Sequence, residues 1–200
     1  MDYGNVSYTR KHRFLGTVLY DLPFGKGRLL GANANGFLDR IIGGWELAGV
    51  LLFESGPFLT VTAPGTDPSG TGFDFFNAGR ADIISGVPLY PAGRNIYNWI
   101  NTASLALPAN NTGTWPAEGV GTYVGPGTQA VSLSLFKAVP INERIRMQLG
   151  VAATNMLNHP NYNVPNTALG TPGFGTINSL QGGGEGSGPR SLQLTGRLTF

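Results

Sequence analysis

A metal centre draws on imidazole, thiolate and carboxylate groups held at close spacing. The 200 residues contain no cysteine and two histidines, His12 and His159, and neither has an HExxH-type neighbour. His159 lies in NHPNY, at a strand-to-loop junction, and reads as a structural or surface residue. Asp67, Asp74, Asp82 and Glu118 share one long loop. Carboxylates there suit calcium or a sugar hydroxyl, but no EF-hand-like spacing accompanies them and solvated loop charge is the default. Gly25-Lys26-Gly27 lacks the spacing and the following Ser/Thr of a phosphate loop, and GVGTYVG (119–125) does not fit GxGxxG. Both read as turn or flexible loop. No catalytic set emerges, so the chain is expected not to be an enzyme and to need no cofactor or metal.

Binding chemistry is better represented. Phe73, Phe75, Phe76, Tyr90, Tyr97, Trp99, Trp115 and Tyr123 crowd the same long loop. They suit either a stacking platform for a carbohydrate or other large ligand, or packing of the loop onto itself, and the second is favoured. Arg144, Arg146 and Arg197 fall in the polar phase of strand-like segments.

Those segments are the elements that must position everything else. The chain ends on SLQLTGRLTF (191–200), where Ser191, Gln193, Thr195, Arg197 and Thr199 alternate with Leu192, Leu194, Gly196, Leu198 and Phe200. Period-two alternation puts one set on each face of a strand. Five further segments read alike: 12–22, 45–55, 57–63, 130–139 and 143–154. In 143–154, for example, Ile145, Met147, Leu149, Val151 and Ala153 oppose Arg144, Arg146, Gln148 and Thr154. Their polar faces carry Ser, Thr, Gln, Gly and Arg rather than the Lys and Glu that decorate a soluble sandwich.

Composition agrees. Charged residues make up 12% of the chain, against about a quarter in ordinary globular proteins. There are 31 glycines and 14 prolines, and the formal charge of +2 with no aromatic-interleaved basic stripe excludes nucleic acid as a partner. No signal peptide is visible after MDYGNVSYTRKHR, and no run reaches the roughly 18–20 apolar residues of a membrane helix. Strands of about ten residues with one apolar and one polar face are the transmembrane-barrel pattern.

Connections between the segments are lopsided. PIN (140–142) joins two strands tightly, whereas 64–129 and 155–190 are long and rich in Gly, Pro, Asn and Thr. Short turns on the periplasmic side and long loops outside are normal for outer-membrane barrels. With Phe200 at the periplasmic rim, both long loops fall outside. The phase of 45–63 leaves open whether Ser55-Gly56 is a hairpin turn or the middle of one long strand. In the second case PFGKGRLLGANANGFLDRIIGG (23–44), with a short helical run FLDRII (37–42), is periplasmic.

YDLPFGKG (20–27), IIGGWELAGVLLFESGPFLTVT (41–62), SLSLFKAVPINERIRMQLGVAATNMLNHPNY (132–162), TPGFGTINS (171–179) and the terminal Phe200 resemble the C-terminal barrel of Oar-like TonB-dependent receptors. The resemblance covers most of the chain. It implies a 22-stranded outer-membrane barrel closed by an N-terminal plug, importing large nutrients with energy passed on by TonB. The fold expected is therefore all-β: an antiparallel meander of about five to six transmembrane strands, a partial arc of that barrel, with long extracellular loops. Residues 1–200 are expected to be the C-terminal part of a receptor barrel, a fragment without plug or signal peptide, with Met1 an internal methionine or a mistaken start.

The resemblance also implies partners: outer-membrane lipid, the barrel-assembly machinery, the plug and N-terminal strands of the same receptor and, through them, TonB. The terminal strand resembles the outer-membrane assembly signal, with Leu192, Leu194, Leu198 and Phe200 as its apolar edge. Tyr20 and Trp45, at strand ends, suit the interfacial aromatic girdle. The alternatives are an outer-membrane adhesin or matrix-type barrel without transport, and a secreted glycan-binding β-domain.

Overall fold

A computed structural model describes residues 4–72, 79–116 and 118–200. Its elements in chain order are β1 (Arg13–Asp21), helix α1 (Gly36–Ile42), β2 (Trp45–Glu54), β3 (Phe58–Leu59), β4 (Asp82–Ile83), β5 (Leu105–Ala106), β6 (Tyr123–Val124), β7 (Thr128–Pro140), β8 (Arg146–Thr154) and β9 (Ser191–Thr199). They belong to two compact units. A loop unit takes the described parts of Met1–His12, Glu54–Gly127 and Tyr162–Leu180, and a sheet unit takes Arg13–Phe53, Thr128–Asn161 and Gln181–Phe200.

The sheet unit is one five-stranded sheet in the order β1-β2-β7-β8-β9. Neighbours run antiparallel. β7/β8 and β8/β9 are registered residue by residue, and the Leu22 N–H donates to the Trp45 carbonyl, joining the end of β1 to the start of β2. The Ala138 N–H donates to the Gly44 carbonyl, joining the end of β7 to the start of β2.

Register explains the alternation. Leu133, Ala153 and Leu192 share one cross-strand row, as do Leu135, Val151 and Leu194, and Val139, Met147 and Leu198. One residue along, Ser134 aligns with Ala152 and Gln193, Ala138 with Gln148 and Arg197, and Pro140 with Arg146 and Thr199. The apolar face continues onto the other two strands, where Phe14 stacks near Phe53 at 6.4 Å between ring centroids and Gly49 abuts Leu133. A slip of one residue would exchange the faces, so the register is strongly specified.

The apolar face is not a buried core. Phe14, Val18, Tyr20, Phe53, Leu149 and Leu198 are all exposed, and Leu194 reaches 83%. Within the described residues the sheet is open, with β1 and β9 as its edges.

Five expected strands appear within a few residues of their expected bounds, but 57–63 does not join the sheet. Only Phe58–Leu59 of it is a strand, paired with β6. Its alternation does bury Leu59, Val61 and Ala63, but in the core of the loop unit, with Ala81, Ile100, Leu105, Tyr123 and Leu169. Backbone bonds on both sides hold it there: the Leu169 N–H donates to the Thr62 carbonyl and the Ala81 N–H to the Val61 carbonyl. The long connections are thus a folded body with its own centre. A second pair of short strands, β4 and β5, completes it.

The short turn also shifts. β7 runs through Pro140, and residues 141–145 make the reversal, with Asn142 Oδ1 accepting the N–H groups of Arg144 and Ile145. Arg144 therefore lies in the turn and not on the strand. FLDRII forms the expected helix, begun by Asn35, whose Oδ1 accepts the Leu38 N–H at 2.8 Å.

Because 57–63 adds no strand to the sheet, the connection 22–44 leaves and re-enters at the same sheet end as the 141–145 turn. Neither alternative for 45–63 is formed: the strand ends at Glu54, and 57–63 is neither its continuation nor its hairpin partner.

Candidate functional site

Two features of the sheet unit carry chemistry: its polar wall and its rim. The wall displays Arg146, Gln148, Gln193, Thr195 and Arg197 from adjacent strands. Toward the rim a cavity of about 360 Å³ opens among Asp21, Arg28, Trp45, Glu46, Phe136, Arg146 and Gln148. It offers two carboxylates and two guanidiniums, so its surface suits a polar or zwitterionic group and holds no nucleophile–base pair. A second hollow, of about 410 Å³, lies mid-wall among Thr17, Leu19, Ala48, Val50, Ser132 and Ser134.

Segment 181–190 folds back over this wall. Its turn at Gly184–Gly186 lies against β7, and Gly186 abuts Ser132 of the polar face. Glu185 accepts from Arg13 Nη2 through both carboxylate oxygens, at 2.6 and 2.8 Å. Two buried asparagines hold the segment from the other side. Asn155 Nδ2 donates to the carbonyls of His159 and Gly188, and its Oδ1 accepts the His159 N–H. Asn161 Oδ1 accepts the Gln129 N–H, while its Nδ2 donates to the Gln129 and Ser187 carbonyls. Sequence reasoning passed over both residues. The repeated Asn in TNMLNHPN was the available signal, since Asn satisfies irregular backbone through one donor–acceptor amide.

At the rim the apolar face carries a cation. Lys137, in register with Leu149, donates through Nζ to the Gly43 carbonyl and lies 5.2 Å from the centre of the Trp45 ring. Trp45 Nε1 donates to the Ile41 carbonyl at 3.1 Å, so both side chains grip the C-terminal end of α1. The turn before the helix fits only a glycine: a Cβ on Gly25 (φ 115°) would lie 2.7 Å from Asp39 Oδ1 and 2.9 Å from Gly43 Cα. Asp39 Oδ1 also accepts the Lys26 N–H. Gly25-Lys26-Gly27 is this turn.

The loop carboxylates part company. Asp67 caps its own turn, accepting from Ser69 Oγ and from the N–H groups of Gly70 and Gly72. Slight desolvation works to raise its pKa, but those donors prevail and hold it below the usual carboxylate range. Glu118 is 1% exposed. Its Oε1 accepts the Val61 N–H at 2.8 Å, and its Oε2 finds no hydrogen-bond partner among the described residues. Burial pushes its pKa up to about 7, against the lowering pull of the Val61 N–H and of Arg80. Asp82 lies in β4, and Asp74 falls outside the described residues. His12 and His159 are exposed, and no three metal-ligating side chains converge among the described residues.

Of the five described loop aromatics, three pack in the core of the loop unit. Tyr123 is fully buried against Tyr90, Tyr90 Oη accepts the Val124 N–H, and Trp99 Nε1 donates to the Val124 carbonyl. Arg94 is sandwiched 4.6 Å from the Tyr90 ring centre and 4.4 Å from that of Trp99. Tyr97 and Trp115 remain exposed, and Phe73, Phe75 and Phe76 fall outside the described residues. At the chain end, Leu192, Leu194 and Leu198 stand exposed on the apolar face, with Phe200 one residue past β9.

No curated protein and no solved structure matches the chain. A family model does, that of the outer membrane beta barrel domain, over residues 1–193. An all-β antiparallel sheet with one exposed apolar face and one polar face is what that family requires of a wall, and the chain belongs to the outer membrane beta barrel domain family.

Proposed function

We infer that the chain is an arc of a TonB-dependent, Oar-like receptor barrel, which binds a large nutrient outside the cell and imports it without catalysis. The observation that carries the barrel arc is the two-faced, open sheet. Lipid accepts only closed barrels, because an unpaired sheet edge leaves backbone groups unsatisfied at several kcal/mol each. β1 and β9 therefore pair with further strands, supplied in this reading by the rest of the receptor. Leu192, Leu194, Leu198 and Phe200 then serve the assembly machinery as an apolar edge ending in an aromatic. The polar wall lines the lumen, where Arg146 and Arg197 face acidic groups of a plug. The loop unit is extracellular and presents Tyr97 and Trp115 to ligand.

The receptor reading rests on the cassettes quoted above. Its test is affinity of the intact outer-membrane polypeptide for the periplasmic domain of TonB. Saturable binding, with a plug encoded in frame upstream of Met1, supports import. A plugless barrel that ignores TonB supports the adhesin reading instead.

A further inference from the structure

Helix α1 has one face turned inward and one turned out. Asp39 and Ile42 pack on the 25–31 turn, whereas Phe37, Leu38 and Ile41, a stripe at i and i+3/i+4 spacing, are exposed, Phe37 by 77%. In the preceding turn Leu29 and Leu30 are exposed as well, Leu29 by 85%. No residue of α1 is buried. So large an apolar stripe on so short a helix calls for an occupant.

Its attachment identifies one. The residues that hold the C-terminal end of α1 are Trp45 and Lys137, and both belong to the apolar face of the sheet. These contacts tie the C-terminal end of the helix to the apolar side of the rim, while Arg28 of the preceding turn reaches the cavity on the polar side. A tryptophan and a lysine at that depth, the one with its ring at the boundary and the other with its ammonium drawn to the rim, mark the headgroup level of a bilayer. The exposed cations Lys26 and Arg40 border the stripe and complement lipid phosphate.

We propose that α1 forms an interfacial anchor, with Phe37, Leu38 and Ile41 seated among the headgroups of the periplasmic phospholipid leaflet. Trp45, bonded to the Ile41 carbonyl, links the apolar face of the sheet to the helix that carries the stripe. Side chains of this kind enter about 5–10 Å into the headgroup–acyl boundary. The proposal rests on the barrel reading and adds to it a membrane contact made by a connection rather than a strand.

These 200 residues contain no cysteine, so a label placed in them is unique once any cysteine elsewhere in the polypeptide is replaced. Single Phe37→Cys, Leu149→Cys and Asn142→Cys variants of the intact outer-membrane polypeptide are labelled with an environment-sensitive fluorophore and folded into phosphatidylethanolamine–phosphatidylglycerol bilayers. Nitroxides are placed on the lipid at shallow or deep acyl positions. Position 37 is expected to be quenched by the shallow nitroxide roughly twofold or more over the deep one. Position 149 should be quenched by the deep nitroxide and position 142 by aqueous iodide alone. If 149 is quenched by lipid while 37 behaves like 142, the anchor is overturned and the barrel stands. If 149 is not quenched, the barrel reading falls with it. A label at 37 that is shielded from iodide yet untouched by either nitroxide assigns the stripe to a protein partner and also overturns the proposal.

Discussion

Glu118 is a buried carboxyl whose protonation bears on the stability of the loop unit. Its carboxyl is sealed in the loop unit with one oxygen on the Val61 N–H, and burial moves its pKa from the ordinary 4.5 to about 7. The folded state therefore prefers the neutral acid. Below about pH 4.5 the group is neutral whether folded or not and exacts nothing. As pH rises toward 7 the unfolded chain ionises first, and the loop unit loses stability until the folded carboxyl also ionises. At about 1.4 kcal/mol per pKa unit the full loss is of order 3–4 kcal/mol. Amide hydrogen exchange at Val61 and Ala81, corrected for intrinsic rates, should thus show faster opening at pH 8 than at pH 5. Glu118→Gln, neutral at every pH, should remove that dependence, and a wild-type profile flat between the two pH values would contradict the account. None of this was legible in the sequence, where Glu118 sits among prolines and glycines as an ordinary loop acid. Its burial is created by segments far away in the chain, 59–63 and 79–81, and no local pattern reports such closure.

At the level of elements, period two was decisive where a segment had strand neighbours and misleading where it did not. The 45–54, 128–140, 146–154 and 191–199 strands could be read because each shows one apolar and one polar set. The 57–63 segment shows the same alternation, yet it buries its apolar set among loop residues. Alternation says that one face leaves water and is silent on whether lipid or protein receives it. Helix α1 was legible as FLDRII, but its attachment through Trp45 and Lys137 was not, since Lys137 breaks the apolar phase of its own strand. Close packing across the sheet is equally invisible in sequence. A Cβ on Gly150 would lie 2.5 Å from the Phe136 ring and 2.6 Å from Thr195 Oγ1. Gly150→Val should therefore lower stability by about 1–3 kcal/mol, read as a lower denaturant midpoint of the folded barrel. Adding Phe136→Ala should recover part of the loss. A single variant as stable as the parent would show that the ring does not cover this site.

For the whole molecule the claim is that the sheet is a membrane wall. The assembly role proposed for β9 and Phe200 gives one consequence: Phe200→Ser in the intact polypeptide should reduce its outer-membrane level several-fold, measured by fractionation and immunoblot, and unchanged assembly would remove these residues from any signalling role. The more direct measurement concerns orientation. Spin labels placed singly at positions 147 to 152 of β8, in the bilayer-inserted protein, report collisions with oxygen, which concentrates in lipid, and with a water-soluble nickel chelate. Positions 147, 149 and 151 should favour oxygen, and positions 148, 150 and 152 the chelate, in strict alternation. An alternation of opposite phase, or equal access of the chelate to both sets, would mean that the oily face of the sheet does not meet lipid.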